Sequence, residues 1–149
     1  MLKEHPFLVT TTFQGDGDTI NYDITKPNRS DAVGKAFKIN ADGKGELVDD
    51  GDEIDGKVIA VDDDDKFTAA YMFGGLRLPL GTGATVARGD KVVGALGASS
   101  AKGHVKGAPT IDATETDTAA LAAAVVAAQN GTGKVLESDT THALVAMGA

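Results

Sequence analysis

Lys57-Val58-Ile59-Ala60-Val61, Asp62-Asp63-Asp64-Asp65 and Lys66-Phe67-Thr68-Ala69-Ala70-Tyr71-Met72-Phe73 follow one another without a break, and their reading decides the fold. Two runs rich in β-branched and aromatic residues, each of strand length, flank four consecutive carboxylates. Like charges in a row repel one another and favour extended, solvated backbone, so the segment predicts two strands joined by an exposed turn. Upstream, Ala36-Phe37-Lys38-Ile39 alternates before the turn Asn40-Ala41-Asp42-Gly43, and Glu46-Leu47-Val48 follows. Downstream come Leu76-Arg77-Leu78-Pro79-Leu80, Ala84-Thr85-Val86 and Lys91-Val92-Val93, joined by Gly81-Thr82-Gly83 and Arg88-Gly89-Asp90. Pro79 cannot donate to a ladder and places its strand at an edge or end. A strand recurs roughly every ten residues with no helical crossover between, which predicts a mainly β fold, a small β-barrel or β-sandwich.

One helix interrupts the pattern near the C-terminus. Thr114-Glu115-Thr116-Asp117 resembles a capping box, the following residues 119–129 are mainly alanine with Leu121, Val125 and Val126, and Asn130-Gly131 marks the end. Leu121 and Val125 lie four residues apart on one face, so a thin apolar strip is expected to dock on the sheet. Residues 98–107 predict a flexible or hairpin excursion. Lys134-Val135-Leu136-Glu137 and His142-Ala143-Leu144-Val145-Ala146-Met147 predict a closing hairpin. At the other end, residues 1–33 are broken by Thr10-Thr11-Thr12, Gly15-Asp16-Gly17-Asp18 and Lys26-Pro27-Asn28-Arg29-Ser30-Asp31. Short alternations over 7–13 and 19–24 need a partner surface to pair as strands. The chain is therefore divided into an extended N-terminal arm, 1–33, and a β-rich domain, 34–149.

Composition narrows the function. The 149 residues suit one domain that needs no disulfide or metal for its stability, and the absence of cysteine excludes thiolate zinc sites, iron–sulfur clusters and cysteine nucleophiles. Fourteen Lys+Arg against 22 Asp+Glu give a net charge of −8, which disfavours binding to nucleic acid or to anionic lipid. Eleven of the acidic residues fall between Asp42 and Asp65 with only Lys44 and Lys57 to oppose them, a local balance of −9 that leaves +1 for the rest. The residues around 119–128 are too few and too weakly apolar to span a bilayer, and residues 1–13 lack the apolar run of a secretory signal.

No catalytic constellation is legible. His5, His104 and His142 show no metal-ligand spacing, and Gly97-Ala98-Ser99-Ser100-Ala101 lacks the last glycine of a nucleophile elbow. The Gly-Lys pairs at Gly34, Gly43, Gly56 and Gly133 are never followed by Ser or Thr, so no phosphate loop is present. Residues 42–53 have the length of an EF-hand loop but no glycine at its sixth position and no flanking helices. Clustered carboxylates leave weak divalent-cation binding open. The sequence predicts a non-enzymatic protein with no cofactor.

Four segments carry a resemblance. Gly34-Lys35-Ala36-Phe37-Lys38-Ile39, Gly51-Asp52-Glu53-Ile54-Asp55-Gly56-Lys57-Val58, Gly89-Asp90-Lys91-Val92-Val93 and Gly133-Lys134-Val135-Leu136-Glu137 with Ala143-Leu144-Val145 resemble, in order and rough spacing, the capsid decoration (cement) proteins of tailed bacteriophages. The long arm and the alanine helix depart from that pattern. The resemblance implies a protein made in the bacterial cytoplasm that sits on the outer capsid surface of the virion, there forming a homotrimer and clamping neighbouring subunits of the major capsid protein. In that setting the arm is the expected capsid-binding element, with Phe7, Val9, Phe13, Ile20, Tyr22 and Ile24 as apolar anchors. The alternative is an acidic β-rich module that binds divalent cations, from a secreted or cell-surface protein.

Overall fold

The computed structural model describes residues 10–71 and 74–148. Its strands are β1 (Thr10–Gln14), β2 (Ala36–Ile39), β3 (Gly45–Leu47), β4 (Gly56–Val61), β5 (Lys66–Tyr71), β6 (Gly74–Pro79), β7 (Val92–Ala95), β8 (His104–Gly107), β9 (Lys134–Ser138) and β10 (His142–Met147), with the helix α1 (Thr118–Gln129) between β8 and β9. They form three antiparallel sheets, β1-β5-β4-β2-β3, β6-β10-β9 and β7-β8. The mainly β fold with one C-terminal helix is the one the strand spacing predicts.

β4 and β5 are the hairpin read at the outset. Their register shifts between Val58 and Ala60, and this bulge lets Val58 and Val61, three residues apart, both point inward while Ala60 faces out. The acidic turn closes with Asp62 N–H donating to Lys66 O (2.7 Å) and Asp65 N–H to Asp62 O (3.0 Å), Asp65 taking a φ of 57°. β1 pairs with the other side of β5, from Thr10 opposite Ala70 to Gln14 opposite Lys66. The chain then crosses to the far edge of the sheet, where Gly15 bridges Gly45 and Asp16 N–H donates to Gly45 O (2.9 Å). The five-stranded sheet thus curls until its edge strands meet, leaving little open edge at that corner.

Inside the curl lie Ile20, Ala32, Phe37, Val58, Val61, Phe67 and Ala69, joined by the half-buried Phe13. The Phe13 ring centroid is 5.9 Å from Phe37, 5.8 Å from Phe67 and 5.8 Å from Tyr71, and Phe37 meets Phe67 edge-on at 5.0 Å. Gly45 is required here because the Phe67 ring fills the space its side chain would occupy. A second core of Val48, Ile54, Leu76, Leu78, Val92, Val105, Val135 and Val145 fills the space among the three sheets. β7 is buried at all four positions, as befits a strand covered on both faces.

The boundary at Gly34 is corrected. Residues 10–33 are not an arm laid outside a domain: they supply an edge strand and two fully buried side chains, Ile20 and Ala32, to the first core. Residues 19–24 form no strand, because the Asp16 carboxylate takes the backbone N–H groups of Asp18, Thr19 and Ile20 and folds them into a turn. Residues 84–86 form no strand either; Ala84 N–H closes a turn on Gly81 O (3.0 Å). The helix begins about three residues later than a capping box led by Thr114 implies, with Asp117 as N-cap accepting from Ala119 N–H (2.9 Å) and Ala120 N–H (3.3 Å).

Candidate partner-binding surfaces

The six anchors expected on the arm do not form one surface. Phe7 and Val9 lie outside the described residues. Phe13 and Tyr22 pack against the first core and Ile20 is within it, so these three hold the domain together. Ile24 alone stands out, 66% exposed, on a turn shaped by Asp23 and Lys26.

The acidic region is built differently from a solvated loop pair. Lys38 on β2 reaches Asp52 (2.7 Å) and Glu46 (3.2 Å), Lys102 reaches Asp49 (2.9 Å), and Lys106 on β8 reaches Asp50 (2.7 Å). Other carboxylates accept from backbone: Asp55 from Ile39 N–H (2.7 Å) and Asp65 from Tyr22 N–H (2.6 Å). Partial burial alone would lower the Lys38 pKa, but the hydrogen bonds to Asp52 and Glu46 outweigh it and hold the ammonium above its usual range. The Asp49 carboxyl is lowered, first by its hydrogen bond to Lys102. Among the described residues no group of three or more His, Asp or Glu side chains is arranged to hold a metal ion. Sequence reading missed these lysines because each ion pair to Asp49 or Asp50 joins residues more than fifty positions apart.

Where β6 and β10 run side by side, Arg77 Nη2 donates to His142 Nδ1 (3.0 Å). Burial lowers the His142 pKa and the Arg77 charge lowers it further, while the nearby Asp139 carboxylate opposes. Asp139 is itself held down to about 2 by the backbone N–H groups of Thr141 and His142. His104 is lowered by burial and by Lys35. Thr141 Oγ1 lies 2.8 Å from His142 Nδ1 and donates to Asp139 Oδ1 (3.0 Å), so these side chains tie β6, β10 and the turn before β10 together.

The remaining surface feature is α1. None of its residues is buried, Leu121 and Val125 are only half-covered, and Val126 is 56% exposed. It is held to the body at its end, where Asn130 Nδ2 donates to Gly51 O (3.0 Å) and Ala127 packs beside Gly51. Between helix and body runs an open groove of about 600 Å³ lined by Ala122, Ala123, Val126, Ala127, Pro109 and Lys106, among others. Among the described residues no helix is long and apolar enough to cross a membrane.

Comparison with protein-family models, curated proteins and solved structures finds no match.

Proposed function

We propose that the chain is a structural virion protein that binds the outer surface of an assembled phage capsid and stabilises it by bridging major capsid subunits. The observation that carries the reading is the position of the four segments that resemble decoration proteins. Gly34, Gly51, Gly89 and Gly133 open them, with φ of 87°, 80°, 95° and 60°. Gly34, Gly89 and Gly133 turn the chain directly into β2, β7 and β9, and Gly51 starts the loop that delivers it to β4. At such φ a side chain costs about 1–2 kcal/mol, so these glycines are demanded by the turns. Their order along the chain is the one that resembles the decoration family.

The role is architectural rather than catalytic, with copies grouped in threes as the resemblance implies. A net charge of −8 suits a particle exterior that does not adhere to DNA. Contacts shared among several lattice neighbours multiply a weak single contact. The cation-binding alternative is the weaker reading, since many of its carboxylates are engaged by lysines and backbone N–H groups.

The test is binding to capsids. The chain is expected to co-sediment with assembled capsid lattices, to ignore isolated capsid subunits, and to delay heat-induced DNA release from particles that otherwise lack it. Failure to associate with particles, together with unchanged thermal release, overturns the proposal.

A further inference from the structure

We propose that Asn130-Gly131 is a self-modification site: when the C-terminal end of α1 opens, the Gly131 nitrogen displaces ammonia from the Asn130 side chain, and the product unclasps α1 irreversibly. The inference does not depend on the capsid reading. Of the asparagines Asn21, Asn28, Asn40 and Asn130, the last alone precedes a glycine. Asparagine is a thermolabile residue, and a following glycine has no side chain to hinder approach of its backbone nitrogen to the neighbouring carboxamide. The Cβ that any other residue would add at position 131 falls 3.0 Å from Ala108 Cβ, 3.2 Å from Ala128 O and 3.3 Å from Lys91 Cβ, so the packing of the joint favours glycine. The chemistry needs only water. A bond forms between the Gly131 nitrogen and Asn130 Cγ as the Cγ–Nδ2 bond breaks, the Gly131 amide proton leaving with Nδ2 as ammonia. The cyclic succinimide then takes up one water, hydroxyl to a ring carbonyl carbon and proton to the ring nitrogen, and opens to aspartate or isoaspartate.

The fold holds both reacting groups in other bonds. Gly131 N–H donates to Ala128 O (3.3 Å) and Asn130 Nδ2 to Gly51 O (3.0 Å), while Asn130 stays in the right-handed helical region at φ −75°, ψ −6°. Attack requires both bonds to be released together, so the folded chain reacts through local opening of the helix end. Little opposes that opening. α1 buries none of its residues, and among the described residues no side chain within it hydrogen-bonds to the body, which leaves Asn130 Nδ2 to Gly51 O as the polar clasp.

The product cannot restore the clasp. A carboxylate at position 130 has no N–H for Gly51 O, meets that carbonyl as a second acceptor, and joins Asp50 and Asp52, which line the same groove. Lys106 and Lys38 are already engaged by those two side chains. In the isoaspartate form the chain also runs through Cβ, and the added backbone atom displaces the Gly131 N–H from Ala128 O. Lost bonds and like-charge repulsion act in the same direction, so α1 is clasped in new chains and loosened in aged ones.

The experiment follows the full chain by peptide mapping and mass spectrometry during long incubation at mildly alkaline pH, with hydrogen exchange measured alongside. The amide-to-acid mass change is expected at Asn130 ahead of Asn21, Asn28 and Asn40, as a mixture of aspartate and isoaspartate. It should be at least about tenfold slower in the folded chain than in the denaturant-unfolded one. Ala123→Gly, an exposed change that weakens the helix away from the reacting atoms, should raise the folded-state rate by about fivefold. Asn130→Asp reproduces one product: amide exchange across α1 should quicken by at least about tenfold while exchange in the strands is unchanged. Modification of Asn130 no faster than of the other three asparagines, equal rates in folded and unfolded chains, an Ala123→Gly rate like that of wild type, or wild-type exchange of α1 in Asn130→Asp overturns the proposal.

Discussion

Residues 10–33 and α1 invert the usual relation between regularity and burial. The first region is mostly turn and coil, yet it puts Ile20 and Ala32 into the interior and lays Phe13 against three aromatic rings. The second is a capped, three-turn helix that buries nothing. Coil can enter a core when its backbone polar groups find partners, and here side chains provide them: Asp16 serves three N–H groups, Asp65 takes that of Tyr22, and Thr19 Oγ1 accepts from Leu47 N–H (2.9 Å). The helix satisfies its own backbone with alanine propensity and two caps, and at twelve residues it also relies on its half-covered side and on the Asn130–Gly51 bond to stay formed.

The largest effect that can break this comparison comes from the coil. Ile20→Ala is expected to destabilise the fold by about 3 kcal/mol, the usual range for a fully buried aliphatic truncated to alanine. Deleting residues 1–30 should go further and abolish cooperative melting, because it removes β1, Ile20 and the chain that closes the sheet on Gly45. Denaturant unfolding followed by circular dichroism measures both. A deletion variant that still melts cooperatively near the wild-type midpoint would restore the arm as a separate element and the boundary at Gly34.

What could be read from sequence follows the range of the interactions. β4, β5, the closing hairpin and α1 are legible because alternation, turn glycines and caps act within a few residues. Residues 10–33 are not, because Asp65 lies 43 positions from Tyr22, and without that contact the polar text of the segment resembles a solvated tail. The acidic stretch misleads for the same reason: Lys102 and Lys106 approach Asp49 and Asp50 from β8 and its preceding turn. The expected anchors had the right apolar character, but Phe13, Ile20 and Tyr22 are used internally.

A middle-sized effect tests the joint between β6 and β10. His142 and His104 both have pKa values lowered from 6.5 in the folded protein. Below that value the unfolded chain binds more protons than the folded one, so stability is fully present above pH 6.5 and declines as pH falls through the lowered folded values. At His142, protonation also removes the lone pair that accepts from Arg77 and sets two cations face to face. His142→Gln keeps an acceptor for Arg77 and carries no titrating proton. The pH slope of the melting temperature between about pH 7 and pH 5 should become shallower in this variant, with His104 supplying what remains. An unchanged slope would show that His142 does not contribute to acid sensitivity.

The smallest effect is expected on the helix. Val126 is 56% exposed, so Val126→Ala removes little packing, and alanine's higher helix propensity returns a few tenths of a kcal/mol. The variant should melt within about 2 °C of wild type. The same substitution at the half-covered Val125 should cost more, about 0.5–1 kcal/mol. This pair sharpens the comparison because both residues lie on one helix with the same chemistry and differ in how far they are covered. If Val126→Ala destabilises as much as Val125→Ala, its exposed side is covered by the chain itself, and the contrast between a buried coil and an uncovered helix is lost.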